Sequence, residues 1–159
     1  MRKIKAEKLS HEAFHFYGDF ADMIPEQLPD MNMDQVLLDL GRPYENCAFS
    51  LIRSQVCENN TAIMAEYHSL TGQAFLPMDG DVLLYVARPT TGDCPIEKMR
   101  AFYVPKGTLV VVKPGVWHFT PMAVERPVNV MISLVQRTWA NDVTFYGFKD
   151  EEKFQIEIE

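Results

Sequence analysis

Glu66, His68, Gln73 and His118 are side chains whose types and spacing could gather around one metal ion. They fall in two short segments, Glu66-Tyr67-His68-Ser69-Leu70-Thr71-Gly72-Gln73 and Lys113-Pro114-Gly115-Val116-Trp117-His118, which hold two of the four histidines in the chain. If 66–68 is a strand, alternate residues face the same way, so Glu66 and His68 share a face and Tyr67 points away. A loop over 69–72 then lets Gln73 return beside them. Two neutral imidazoles, a carboxylate and an amide oxygen form a mixed N/O donor set suited to one divalent transition metal: Ni, Mn, Fe or Zn. Glutamine brings no negative charge and weakens retention of a cation. The same four residues could therefore stand as a metal-free polar cluster at the mouth of a barrel.

The elements that must position them read as strands. Short runs rich in β-branched and aromatic residues occupy 48–53, 62–68, 74–78, 82–87, 99–104, 108–112, 128–134 and 144–148. Turn signals separate them, among them Asp79-Gly80, Pro105-Lys106-Gly107 and Pro114-Gly115. Eight or more short strands in so little chain predict an all-β jelly-roll barrel or sandwich. The alternating residues 154–159 predict an added edge strand. One helix is expected near the start, N-capped by Ser10, about two turns long and closed by Gly18 in a left-handed turn. Residues 22–46, interrupted by Pro25, Pro29, Gly41 and Pro43, read as irregular, a lid or an edge-covering loop.

The totals fit one domain over 1–159, with 47% hydrophobic and 23% charged residues. A net charge of −7 argues against nucleic acid as a partner. An anionic metabolite would have to be held by a few local cations or a metal. No apolar stretch is long enough to span a bilayer, and no apolar run follows the basic N-terminus as a secretory signal would need. Cys47, Cys57 and Cys94, odd in number and without CxxC spacing, are expected as free thiols in a reducing cytoplasm. His11 and His15 could bind metal as an i, i+4 pair, but no third ligand lies near them, so capping or solvent-facing roles are expected.

The two segments resemble the paired motifs of cupin barrels, here Glu66-x-His68-x4-Gln73-x6-Gly80 and Gly107-x5-Lys113-Pro114-Gly115-x2-His118, with spacing kept and ligand types changed. A closer resemblance is to the ureidoglycolate lyases, formerly called ureidoglycolate hydrolases. It rests on Leu9-Ser10-x-Glu12-Ala13-Phe14-x-x-Tyr17-Gly18-Asp19, Gln73-Ala74-Phe75-Leu76-Pro77-Met78, Arg100-Ala101-Phe102 and Val116-Trp117-His118, in family order from about residue 9 to Arg137. The resemblance implies a cupin-type jelly-roll β-barrel with a short N-terminal helix, working in the cytoplasm as a homodimer. It implies an enzyme that releases urea and glyoxylate from ureidoglycolate at the end of allantoin breakdown. One departure stands out: where the family pattern carries a histidine five residues before that of Trp-His, this chain has Lys113, and Phe119 follows the motif where a second histidine is common.

Ureidoglycolate chemistry assigns roles. His118 or Glu66 would transfer protons, and Lys113 could do so only with a strongly depressed pKa. Glu66, His68, Gln73 and His118 would hold the metal, and Gln73 would help orient substrate. Arg53 and Lys113 are the cations expected to grip the substrate carboxylate, although an arginine at such a position is more often a surface residue. Two other readings compete: a non-catalytic cupin that senses a small carboxylate, and a cupin isomerase of sugar derivatives.

Overall fold

The computed structural model describes residues 1–24, 33–41 and 45–158. Its elements, in chain order, are β1 (Arg2–Lys8), α1 (His11–Phe14), β2 (Gly18–Asp22), β3 (Cys47–Ser54), β4 (Thr61–Ala62), β5 (Met64–Tyr67), β6 (Gln73–Pro77), β7 (Val82–Ala87), β8 (Arg100–Val104), β9 (Thr108–Val112), β10 (Trp117–His118), β11 (Met122–Ala123), β12 (Val128–Val135), α2 (Thr138–Asn141), β13 (Thr144–Gly147) and β14 (Phe154–Glu157). They form two sheets, one in the order β13-β5-β10-β7-β8-β1-β14-β4 with β11 also on β7, the other β2-β9-β6-β12-β3. The fold is the all-β jelly-roll arrangement expected from the strand pattern.

Sheet against sheet buries Phe75, Val82, Leu84, Val86, Phe102, Val110, Val112, Val116 and Val130. A second cluster, Leu83, Tyr85, Ala87, Ala101, Trp117, Phe154 and Ile156, fills the other side of the larger sheet. Strand β7 contributes alternate residues to both, which is why Val82-Leu-Leu-Tyr-Val-Ala87 is apolar throughout and buried at every position. Tyr85 sits 1% exposed and donates its hydroxyl hydrogen to the Met64 carbonyl.

Four expectations change. Helix α1 is a single turn, with Ser10 Oγ accepting from the Ala13 N–H. Gly18 does not end it in a left-handed turn. It opens β2, where an added Cβ would stand 1.7 Å from the Val111 carbonyl oxygen, so the glycine is needed for close approach of β2 to β9. The C-terminal strand β14 is not an edge but lies between β1 and β4. The run expected over 62–68 breaks at Ile63, whose carbonyl accepts from the Phe148 N–H, leaving β4 and β5 as separate strands.

Strands β1 and β2 and helix α2 went unseen in the sequence. Of the expected irregular stretch, residues 25–32 and 42–44 lie outside the described residues, and with them part of the proposed lid. The part at 33–41 lies against the 69–72 loop, where Gly72 N–H donates to the Asp39 carbonyl at 2.7 Å. Among the described residues, no helix is long and apolar enough to cross a membrane.

Candidate active site

Strand pairing brings the cluster together. His118 on β10 lies directly opposite Glu66 on antiparallel β5, so their side chains stand as neighbours on one face of the sheet. His68 follows two residues after Glu66 on that same face, and Gln73 opens β6 in the facing sheet. The Pro114-Gly115 turn ties the two halves: Gly115, at φ +77°, donates its N–H to the His68 carbonyl at 2.7 Å.

At the centre, Gln73 Oε1 lies 2.9 Å from both His68 Nε2 and His118 Nε2. Glu66 Oε1 is 3.9 Å from His68 Nε2. The imidazole rings are 5.4 Å apart, and buried Phe75 lies beside His118 with ring centroids 5.8 Å apart. Each Nδ1 meets a backbone carbonyl, His68 that of Asp142 at 2.6 Å and His118 that of Val116 at 2.8 Å. A carbonyl only accepts, so both Nδ1 atoms carry hydrogen and, in the neutral rings, both Nε2 lone pairs point inward.

Charge on these groups follows from burial. Desolvation, with the neighbouring His68 adding to it, pushes His118 down to about 3. Desolvation also raises Glu66 above the usual carboxylate range, against the lowering pull of His68. A neutral His118 Nε2 facing the Gln73 amide requires the amide to offer N–H. The two ends of an amide are distinguished only by their hydrogen bonds, so the network places the NH2 group inward, one hydrogen to each imidazole.

The donor set fits a divalent transition metal. The ligand atoms of Glu66, His68 and His118 lie within 4.8 Å of one another. Metal–ligand distances of about 2.0–2.2 Å place donors on one ion at most ~4.4 Å apart, so the widest of these separations must close before all three reach the ion. Nδ1 anchored on a carbonyl with Nε2 turned inward is how metal-binding histidines are held. Glu66, His68 and His118 would hold the ion, with Gln73 either turned aside or contributing its oxygen.

The cluster opens into a cavity of about 200 Å³, walled by Ser50 and Ile52 of β3, Ile132 and Leu134 of β12, Thr120, Phe145 and Trp139, with Arg137 also in the wall. Of the residues expected at the site, Glu66, His68, Gln73 and His118 come together and two others do not. Lys113 is exposed in the turn before β10, and its ammonium donates to the His15 carbonyl, on the N-terminal segment. Arg53 falls on the opposite face of β3 from Ser50 and Ile52, where it donates to Asn129 Oδ1 at 3.3 Å. The cation that lines the cavity, Arg137, was not singled out; its signal was a charged residue just past the end of an inward-facing strand. His11 stacks on Phe20 and His15 caps α1 through the His11 and Glu12 carbonyls, so neither joins the cluster. Cys47, Cys57 and Cys94 are free thiols.

The family model described as ureidoglycolate lyase matches residues 1–157. This chain belongs to the ureidoglycolate lyase family. A ureidoglycolate lyase of Pseudomonas paraeruginosa is 28% identical over 99% of this chain and 97% of its own. One from Pseudomonas fluorescens is 26% identical over 96% of each. A dTDP sugar isomerase from Desulfovibrio desulfuricans G20 superposes with a TM-score of 0.46 at 15% identity, covering 85% of each chain. That likeness is too slight to bear on the chemistry.

Proposed function

We propose that this protein is a ureidoglycolate lyase that releases urea and glyoxylate from ureidoglycolate. The observation that carries the reading is a carboxylate of raised pKa beside two imidazoles with inward lone pairs, in a small cavity of a chain matched to this family over nearly its whole length.

The substrate carries a carboxylate, a hydroxyl and a ureido nitrogen on one carbon. Cleavage removes the hydroxyl proton, forms the carbonyl of glyoxylate, breaks the C–N bond and protonates the departing nitrogen. Glu66 suits this exchange better than His118. A base works best with a pKa near the operating pH, and burial moves Glu66 toward it while moving His118 away. Glu66 takes the hydroxyl proton and returns it to the urea nitrogen, so the proton count closes on one carboxyl group. His118 stays neutral, and both imidazoles orient substrate through Nε2. Gln73 holds both rings in register and can donate to the ureido carbonyl once turned from them. A divalent metal held by His68, His118 and one oxygen of Glu66 would take over the Nε2 contacts to substrate, acidify its hydroxyl and offset its charge, leaving the second Glu66 oxygen to accept the proton.

The reading extends to a metal-assisted homodimer in the cytoplasm, acting in purine-nitrogen catabolism; these parts rest on the family resemblance. Equimolar urea and glyoxylate released from ureidoglycolate by the purified protein, assayed with and without added Ni, Mn, Fe or Zn, is the expected result. Binding of glyoxylate without turnover under any of these conditions would instead favour a sensor of small carboxylates.

A further inference from the structure

We infer that Arg137 is the residue that anchors the substrate carboxylate and restricts the site to α-carboxylate substrates; this rests on the lyase reading above. Three observations converge. Arg137 lines the same cavity as Glu66, His68 and Gln73. Among the described residues, no carboxylate or carbonyl takes up its guanidinium, whereas Arg2, Arg53, Arg100 and Arg126 each have a side-chain hydrogen bond. Its backbone sits in the left-handed region, at φ 61° and ψ 18°, where a long side chain carries a steric cost that glycine or asparagine would relieve.

The turn itself does not need arginine. Thr138 Oγ1 donates to the Val135 carbonyl, and the Arg137 carbonyl accepts from the Ala140 and Asn141 N–H groups, so the side chain of 137 is left out of its own scaffold. A costly conformation kept by a side chain that stabilises nothing nearby points to a role in binding. The chemistry fits. Glu66 is the carboxylate in the cavity and Arg137 the cation, so a substrate with a carboxylate at one end lies with that end toward Arg137 and its α-carbon toward Glu66. A guanidinium grips a carboxylate through two parallel N–H donors and fixes its plane, which a lysine ammonium cannot do. In a chain of net charge −7, a local cation is also what lets an anion enter.

The test uses the full chain, Arg137→Asn, which keeps the left-handed backbone favourable, and Arg137→Lys, which keeps the charge. Arg137→Asn should raise KM for ureidoglycolate about 10- to 100-fold while changing kcat by less, as loss of a charge-assisted pair predicts. Arg137→Lys should recover part of that loss. The thermal midpoint of Arg137→Asn should equal or exceed that of the unsubstituted protein, an outcome that a structural role for the arginine would not give. Calorimetry with glyoxylate as the probe separates this proposal from the reaction: binding that Arg137→Asn weakens supports the anchor even if ureidoglycolate is never turned over. Unchanged KM and unchanged glyoxylate affinity in both variants, or no glyoxylate binding by the unsubstituted protein, would overturn it.

Discussion

Gln73 decides how the centre of the site behaves. Where cupin motifs carry an acid, this chain places a neutral amide between two imidazoles, 2.9 Å from each. Its NH2 group satisfies both inward lone pairs without any ion, so a metal must compete with an internal hydrogen-bond partner. Gln73→Glu should reverse this, since a carboxylate adds charge and cannot donate to neutral Nε2. Zinc or nickel affinity measured by calorimetry should rise about tenfold or more, in the range seen when groups around a metal are changed. Affinity equal to that of the unsubstituted protein would show that Gln73 does not set metal retention. The four clustered residues were legible because strand alternation and motif spacing both constrain them. The side of β3 on which Arg53 lies is not legible because the strand is apolar on both faces: Phe49 and Leu51 are exposed at 69% and 63%, while Ala48, Ser50 and Ile52 turn to the cavity. Nothing within that strand says which face is inward.

At the scale of elements, the site depends on segments outside the strands that carry its side chains. Asp142, just past α2, accepts from the Ser69 and Leu70 N–H groups through its two carboxylate oxygens at 2.9 and 2.8 Å. Its backbone carbonyl also receives His68 Nδ1–H. It therefore fixes both the loop between β5 and β6 and the tautomer of one imidazole. Asp142→Ala should cost about 2 kcal/mol of stability for the lost charged hydrogen bonds, visible as a lower thermal midpoint. It should weaken metal binding as well, whereas an unchanged midpoint with unchanged metal affinity would remove Asp142 from the positioning of His68. Strands bounded by Gly and Pro turns could be read ahead of the structure, and β7 and β9 match their expected limits. Strand β1 could not, because Arg-Lys-Ile-Lys-Ala-Glu-Lys alternates weakly and earns its place only by parallel pairing with β8 and β14, contacts remote in sequence. Helix α2 is one turn long, too short for any period to show.

For the whole molecule, the buried imidazole links the site to global stability. His118 is 2% exposed and takes a proton only near pH 3 in the folded protein, against about 6.5 for the ordinary residue. The unfolded chain therefore binds a proton over that window that the folded state refuses. Stability fully present above pH 6.5 should fall as pH drops toward 3, by up to about 3 kcal/mol at pH 4.5 in metal-free protein. Glu66 acts in the opposite sense, since its raised pKa favours the folded state at low pH and that contribution is lost as pH rises through its folded value. Urea denaturation across this range should show the decline, and His118→Gln should flatten it; an equally steep decline in that variant would place the acid sensitivity elsewhere.

The central claim is that Glu66, set beside the His68 and His118 imidazoles, moves the proton that lets the C–N bond of ureidoglycolate break. Single-turnover release of urea by Glu66→Gln, with its metal content measured alongside, tests this most directly. The account predicts a rate about 10²- to 10⁴-fold below that of the unsubstituted protein, as loss of general acid–base catalysis requires, with the fold and glyoxylate binding retained. Urea release at the unsubstituted rate would contradict it.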